Sequence, residues 1–233
     1  IIKVFLGDKM KYEKIVKAEF ISRPNRFIAL VKIDGNIHKA HVNNTGRLGE
    51  LLVEGAQVIL EDFSHRKDRK TKYSLIAVYK KDRLVNIDSQ VPNYVVEEYM
   101  LEKGDFDLVK REKKYGNSRF DIYYERQGKK GFVEVKGVSL EEDGLALFPD
   151  APTTRGSKHI LELIEALKEG YEASIVFLIQ LKGAKKFKPH RIRDEEFYQN
   201  LKKAENAGVG IYVYDSLVLE DEISLDEPIE YEI

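Results

Sequence analysis

The sequence predicts a two-unit α+β protein: a small closed β-barrel over residues 1–84, then an α/β unit with a mixed sheet flanked by helices over 85–233. Three observations predict it. Five β-rich runs separated by turn signals crowd into about the first 80 residues. From about Val85 onward, helical periods alternate with strand-like runs, the pattern of an α/β layer. No internal repeat or low-complexity linker divides the chain, so the two units pack together.

The five runs are Lys17–Phe20, Arg26–Ile33, Asn36–His41, Gln57–Asp62 and Tyr73–Tyr79, with turns at Asp34-Gly35 and Glu54-Gly55. Five short strands in that length suit a closed barrel, and the OB-fold is one such barrel. Asn43-Asn44-Thr45-Gly46-Arg47 ahead of Leu48–Leu52 reads as a loop capping a short helix, its Asn and Thr residues serving as caps and turn formers. The strongly basic stretch His65–Lys72 falls between the last two strands, where such barrels commonly meet nucleic acid. Arg66, Lys67, Arg69, Lys70 and Lys72 are therefore candidate DNA contacts. Phe27, Phe63 and Tyr73 either stack on bases or fill the barrel.

In the second unit Pro92 opens a helix that runs through Glu102 and stops at Gly104. Strands follow near Asp107–Arg111, Arg119–Tyr124 and Gly131–Val138, then a short apolar piece, Leu145–Phe148. Thr153 and Thr154 are caps for a helix from about Arg155 to Glu169, with Ile160, Leu161, Ile164 and Leu167 as its apolar stripe. Arg155 and His159 lie one turn apart near its N-terminus, where anions are favoured; they form either a phosphate clamp or a satisfied surface pair. Ser174–Leu181 is apolar almost throughout, as a strand buried on both faces must be. A helix over Asp194–Ala207, stopped by Gly208, and a strand over Val209–Tyr214 complete the unit.

The chemistry concentrates on two neighbouring strands. Asp121 sits in one, and Glu134 and Lys136 sit two apart in the next, so that these two share a face with Phe132 while Val133 and Val135 point the other way. Gln127–Gly131 supplies a tight turn that returns the second strand beside the first. Two carboxylates and an amine then converge, which suits a hard divalent cation and an activated water. The same Glu-x-Lys pattern at Glu112-Lys114 lies in a charged run and reads as a solvated strand end. The copy at 134–136 is embedded in an apolar strand, where an acid needs a partner or a metal.

The blocks His41–Arg47, Tyr115–Arg119, Val133–Lys136, Phe148–Ala151 and Thr154–His159 resemble, in the same order, those of the sugar fermentation stimulation protein A (SfsA) family. The order acid, turn, acid-x-lysine is similar to the PD-(D/E)XK nuclease superfamily. The resemblance implies an N-terminal OB-fold, a restriction-endonuclease-like C-terminal unit, and DNA as the partner. It implies Mg²⁺ or Mn²⁺ on Asp121 and Glu134, with the Val135 carbonyl as a further ligand and Lys136 polarising the attacking water. It makes Glu98 the helical acid that reaches the metal; in isolation that residue is an ordinary surface glutamate. Arg119, Arg155, Lys158 and His159 become candidate DNA contacts, and Gln180 matches a position at the mouth of the sheet. Leu181–Lys185 departs from the family, where an Arg and then an Asp are expected.

Composition sets the remaining bounds. The absence of cysteine excludes disulfides, zinc–thiolate sites and cysteine catalysis. No apolar run approaches the ~20 residues of a membrane helix and no signal-peptide pattern opens the chain, so a cytoplasmic protein without a membrane partner is expected. Residues 1–82 carry 17 Lys and Arg against 10 Asp and Glu, a net of +7 that leaves −8 for the rest. A basic first domain is the footprint of something that meets phosphate backbones, although a solvated lysine-rich surface has the same charge. Three functions compete: a metal-dependent DNA nuclease, a DNA-binding regulator of sugar metabolism with an idle nuclease-like site, and a small-molecule or partner-binding protein. The basic domain argues against the last. Oligomeric state is not written in the pattern, and a homodimer is admissible.

Overall fold

The computed structural model describes residues 10–233. The first unit is a closed barrel of β1 (Ile15–Asn25), β2 (Ile28–Ile33), β3 (Asn36–Val42), β4 (Gln57–Asp62) and β5 (Tyr73–Lys80). Strands pair antiparallel in the order β3-β2-β1-β4-β5, and a parallel β3–β5 pairing, Ala40 opposite Tyr73 through Val42 opposite Leu75, closes the cylinder. β1 can pair with both β2 and β4 because irregularities at Phe20–Ser22 and Ser22–Asn25 bend it. Inward-facing Phe20, Ala29, Val31, Ala40, Val42, Val58, Leu60 and Leu75 fill the interior.

All five runs expected from sequence are strands. The expected helix over Leu48–Leu52 is not formed. The segment makes a single turn in which the Leu51 and Leu52 amides donate to the Leu48 carbonyl, and buried Leu48 and Leu51 plug the barrel. The few residues left before β4 leave no room for more.

β6 (Arg83–Asn86) pairs with β5 and leads into α1 (Val91–Lys103), whose C-cap is Gly104 with φ 70°. A six-stranded mixed sheet follows, of β7 (Leu108–Tyr115), β8 (Ser118–Arg126), β9 (Lys129–Val138), β12 (Glu172–Ile179), β14 (Gly210–Val218) and β15 (Ile223–Pro228), in the order β15-β14-β12-β9-β8-β7. β9, β12 and β14 run parallel, and β7, β8 and β15 are antiparallel to their neighbours. β10 (Glu141–Glu142), β11 (Leu145–Phe148), β13 (Lys186–Pro189) and β16 (Glu230–Tyr231) form a small side sheet.

α2 (Thr154–Lys168) and α3 (Glu195–Ala207) pack with Phe120, Phe132 and Phe177 on one face of the large sheet, while α1 covers part of the other through Val96 and Met100. Thr153 caps α2 by accepting the Gly156 amide at 3.0 Å. Asp194 caps α3 through Phe197 N–H (2.9 Å) and also takes the Thr153 amide (2.8 Å), so one carboxylate sets the start of both helices. No helix among the described residues is long and apolar enough to cross a membrane.

The barrel and the second unit share hydrogen bonds. Gln180, at the end of β12, donates through Nε2 to Asn86 Oδ1 (2.8 Å) and the Asp88 carbonyl (3.0 Å). Asp88 Oδ1 in turn receives Asn43 Nδ2 (2.8 Å) and the Gln90 amide (3.0 Å) just ahead of α1. The junction is a satisfied polar network rather than a linker.

Candidate active site

The β8–β9 ladder is regular from Arg126 opposite Lys129 to Ile122 opposite Val133, and then the strands part. At that point a side chain replaces the ladder. The Val135 amide donates to Asp121 Oδ2 at 2.8 Å, and Asn93 Nδ2, from the first turns of α1, donates to Asp121 Oδ1 at 2.9 Å. Because the N–H and C=O of one strand residue point to the same side, the Val135 carbonyl also faces this opening.

Glu134, on β9, is buried, 1% exposed. Its Oε1 lies 2.5 Å from Lys136 Nζ and 2.5 Å from His159 Nδ1. Facing a carboxylate, that nitrogen carries a proton. Glu134 Oε2 is buried and has no hydrogen-bond partner. Such an atom costs free energy unless something else supplies positive charge to it.

The two carboxyls are driven apart in acidity. Burial, and secondly the charge of Glu134, push Asp121 up to about 6. Burial alone would raise Glu134 as well, but the Lys136 ammonium and the His159 ring outweigh it and hold that acid below its ordinary range. Neighbouring acids separated in this way are a mark of functional sites. Among the described residues no group of three or more His, Asp or Glu side chains converges to cage an ion. A cation here would therefore be held by Asp121, Glu134, the Val135 carbonyl and water. Oxygen ligation with several waters retained is what Mg²⁺ and Mn²⁺ accept, and the unpartnered Glu134 Oε2 fits that demand.

Beside His159 opens a cleft of about 580 Å³. Arg119, Arg155, Lys158 and His159, all expected as DNA contacts, line it together with Lys114 and Ser118. Arg119 is paired with Glu112 (3.2 Å) and Lys158 with Glu162 (3.6 Å), whereas the Arg155 guanidinium has no partner among the described residues.

Other expected residues lie elsewhere. Glu98 is on α1, but its Oε2 accepts the Met10 amide at 3.0 Å. Burial, with Glu102, Glu97 and Glu222 nearby, pushes it up to about 7. The α1 side chain that reaches Asp121 is Asn93, nearer the helix start. Nothing in the sequence distinguishes Asn93 from any other polar residue of a first turn. The basic loop between β4 and β5 lines neither the cleft beside His159 nor the one between the two units. Within it Arg66 pairs with Asp68 (2.9 Å), and Arg69 bonds Ser74 Oγ (2.7 Å) and stacks over Phe63, 3.8 Å from the ring centre. Lys67, Lys70 and Lys72 are exposed. The divergent loop after Gln180 is tied down locally: Lys182 Nζ meets Asp226 (2.9 Å) and Asp215 (3.2 Å), and the Gly183 amide donates to Asp215.

Comparison with known proteins accords with this division. A family model described as the sugar fermentation stimulation protein RE domain matches residues 90–222, and one described as the SfsA N-terminal OB domain matches residues 21–87. A sugar fermentation stimulation protein homolog of Clostridium botulinum (strain Hall) is 52% identical over 231 residues, spanning 96% of this chain and 100% of the relative. The homolog of Clostridium beijerinckii is 51% identical over 224 residues, or 95% of this chain and 99% of the relative. A solved structure, that of Pyrococcus furiosus SfsA in complex with Ca²⁺, superposes with a TM-score of 0.88 at 31% identity, covering 97% of this chain and 100% of that one.

Proposed function

The chain belongs to the sugar fermentation stimulation protein family, and from that premise we propose that it is a divalent-metal-dependent nuclease acting on DNA. The observation that carries the reading is Glu134 Oε2, a buried carboxylate oxygen without a partner, on a strand whose neighbour bears a second acid held at about 6. The Pyrococcus relative was solved with Ca²⁺, a hard cation that takes oxygen ligands, and this agrees with an oxygen-only site.

Bound between Asp121, Glu134 and the Val135 carbonyl, Mg²⁺ or Mn²⁺ would polarise a phosphodiester oxygen and make water more acidic. The chain's own residues do the rest. Asn93 and the Val135 amide hold the Asp121 carboxylate in one orientation. Lys136 keeps Glu134 ionised and stands ready to steady charge developing on the phosphate. His159 fixes Oε1 of Glu134 and leaves Oε2 as the unpartnered oxygen. Arg119, Arg155 and Lys158 hold the strand along the cleft.

One observation favours a second reading, a DNA-binding regulator with an idle site. Lys136 and His159 are both committed to the same oxygen of Glu134, and both oxygens of Asp121 already accept hydrogen bonds. The test is incubation with single-strand, duplex and branched DNA in Mg²⁺, Mn²⁺ or chelator. A nuclease cuts at least one form, only with metal, and loses this in Glu134→Gln. If wild type binds DNA but cuts none of these with Mn²⁺, the regulator reading takes its place.

A further inference from the structure

The chain contains twelve arginines. Nine are engaged. Arg66, Arg83, Arg111, Arg119, Arg126 and Arg191 pair with acids. Arg69 donates to Ser74, and Arg23 and Arg193 donate to backbone carbonyls. Arg26, Arg47 and Arg155 have no partner among the described residues, and they are not scattered: Arg155 lines the cleft beside His159, while Arg26 and Arg47 line a second cleft between barrel and sheet. Guanidinium groups left unpaired only where the surface is concave point to an anion of extended shape.

The second cleft has a volume of about 530 Å³, within the roughly 300–1,000 Å³ of sites that bury small ligands. β9 leads into it, since Gly137 and the residues after it, directly following Lys136, form one wall. Thr153 stands on another wall and the next residue, Thr154, lines the first cleft, so the two clefts meet at the start of α2. Asp150 is the one acid among the lining residues, and the charge of Arg23 lies near it.

Arg26 and Arg47 are also held in advance. The guanidinium of Arg23 donates to the carbonyls of Arg26 (2.6 Å), Asn44 (2.7 Å), Gly46 (2.8 Å) and Arg47 (2.9 Å). One buried-edge cation thus ties together the two loops that carry the exposed pair. A side chain at Gly46 would put its Cβ 2.3 Å from Asp150 Oδ2, so the loop is seated tightly against the second unit. Backbone fixed by one arginine and side chains left free is a preorganised anion clamp.

We propose that Arg26 and Arg47 of the barrel, with Arg155 of α2, grip successive phosphates of a single nucleic-acid strand that passes through the junction and across Glu134. A cleft of this size accommodates one or two nucleotides of one strand and not a double helix. The inference rests on the nuclease reading for its substrate and adds the barrel face that contacts it, which is the Arg26 and Arg47 loops rather than the loop between β4 and β5.

The test is fluorescence anisotropy with labelled oligothymidylate over a salt series, in chelator. Wild type is compared with Arg26→Ala/Arg47→Ala, with Arg155→Ala, and with Arg191→Ala, whose pair with Glu195 lies outside both clefts. Both guanidinium groups are exposed and make no internal bond, so the double variant should fold, as checked by circular dichroism and melting. Each single-strand phosphate that an arginine no longer neutralises lowers the log–log salt slope by about 0.7. The double variant should therefore lose roughly 1.4 units of slope and the single variant about 0.7, with Arg191→Ala unchanged. Wild-type affinity and slope in the double variant would overturn the clamp while leaving the nuclease reading intact. Tighter binding of duplex than of single strand would overturn the choice of ligand. If wild type binds no nucleic acid, the clamp and the reading beneath it both fall.

Discussion

His159 Nδ1 lies 2.5 Å from Glu134 Oε1, so the histidine that α2 brings to the sheet is first a partner of the buried acid and only second a surface facing the cleft. Removing it leaves Glu134 with Lys136 alone. His159→Ala should destabilise the metal-free protein by about 1–3 kcal/mol, the usual cost of stranding a buried polar group. His159→Asn, whose amide nitrogen falls near the Nδ1 position, should recover part of that stability. Denaturant unfolding in chelator measures both, and an unaltered midpoint in the alanine variant would mean the bond is not made.

Glu134 bears on metal and stability together. Its pKa is depressed in the folded state, so it contributes stability above the ordinary glutamate range, and that contribution is lost as pH falls through the lower folded value. An acid crowded beside another ordinarily burdens the fold. The structure assigns that burden to Asp121, because Lys136 and His159 both serve Glu134. Glu134→Gln should abolish Mn²⁺ binding and lower stability at neutral pH. An unchanged Mn²⁺ titration would remove Glu134 from the site.

Asp121 has the opposite sign. With its folded value near 6 against an ordinary 3.8, the folded state holds a proton that the unfolded state has released. Metal-free stability should therefore fall as pH rises across that interval and stay low above it. Asp121→Asn should gain on the order of 2 kcal/mol in chelator above pH 6 and nothing below about pH 4. The Asn93 amide can rotate to present its oxygen to the new side chain, which spares a clash of donors. With Mn²⁺ present the order should reverse, since only the carboxylate binds the cation. Equal stability of both proteins in chelator at every pH would refute the raised value.

The barrel strands, the helix caps and the Asp121–Glu134–Lys136 grouping are legible in the sequence because each rests on local period or turn chemistry. Gln127-Gly128 takes positive φ at both residues (51° and 77°), as a two-residue hairpin turn demands. Short strands such as β6, β10, β13 and β16 carry too few residues for any period to register. The site's long-range partners are invisible there for another reason. Asn93 and Asp121 are 28 residues apart, and Glu134 and His159 are 25 apart, so only the packing of helix on sheet decides that they meet. Family likeness marks Glu98 as a site residue, but it sits more than one helical turn beyond Asn93, beside the Met10 amide.

Glu98 offers an independent pH test. Burial holds it near 7 against an ordinary 4.5, so it costs stability as pH climbs between those values. Glu98→Gln keeps an oxygen for the Met10 amide and cannot ionise. Its melting temperature should match wild type below about pH 4.5 and exceed it increasingly toward pH 8, with Mn²⁺ affinity unchanged. Loss of Mn²⁺ binding in this variant would make Glu98 a metal ligand in the loaded protein.

Lys136 separates binding from chemistry. Its side chain is only 14% exposed and its ammonium is spent on Glu134, so it displaces few of the counterions condensed on DNA. Lys136→Ala should therefore leave DNA affinity and salt slope close to wild type in chelator. Arg155→Ala, by comparison, should flatten the slope by about 0.9 on duplex or 0.7 on a single strand. Cleavage should vanish in Lys136→Ala, because Glu134 loses the first charge that keeps it ionised and the developing phosphate charge loses its nearby cation. The same loss of charge should shift the onset of Mn²⁺ binding to higher pH, a readout that a purely structural lysine would not move. A flattened salt slope in Lys136→Ala would show that the ammonium leaves Glu134 for the phosphate backbone when DNA arrives, and the pair seen in the free protein would then be a resting arrangement.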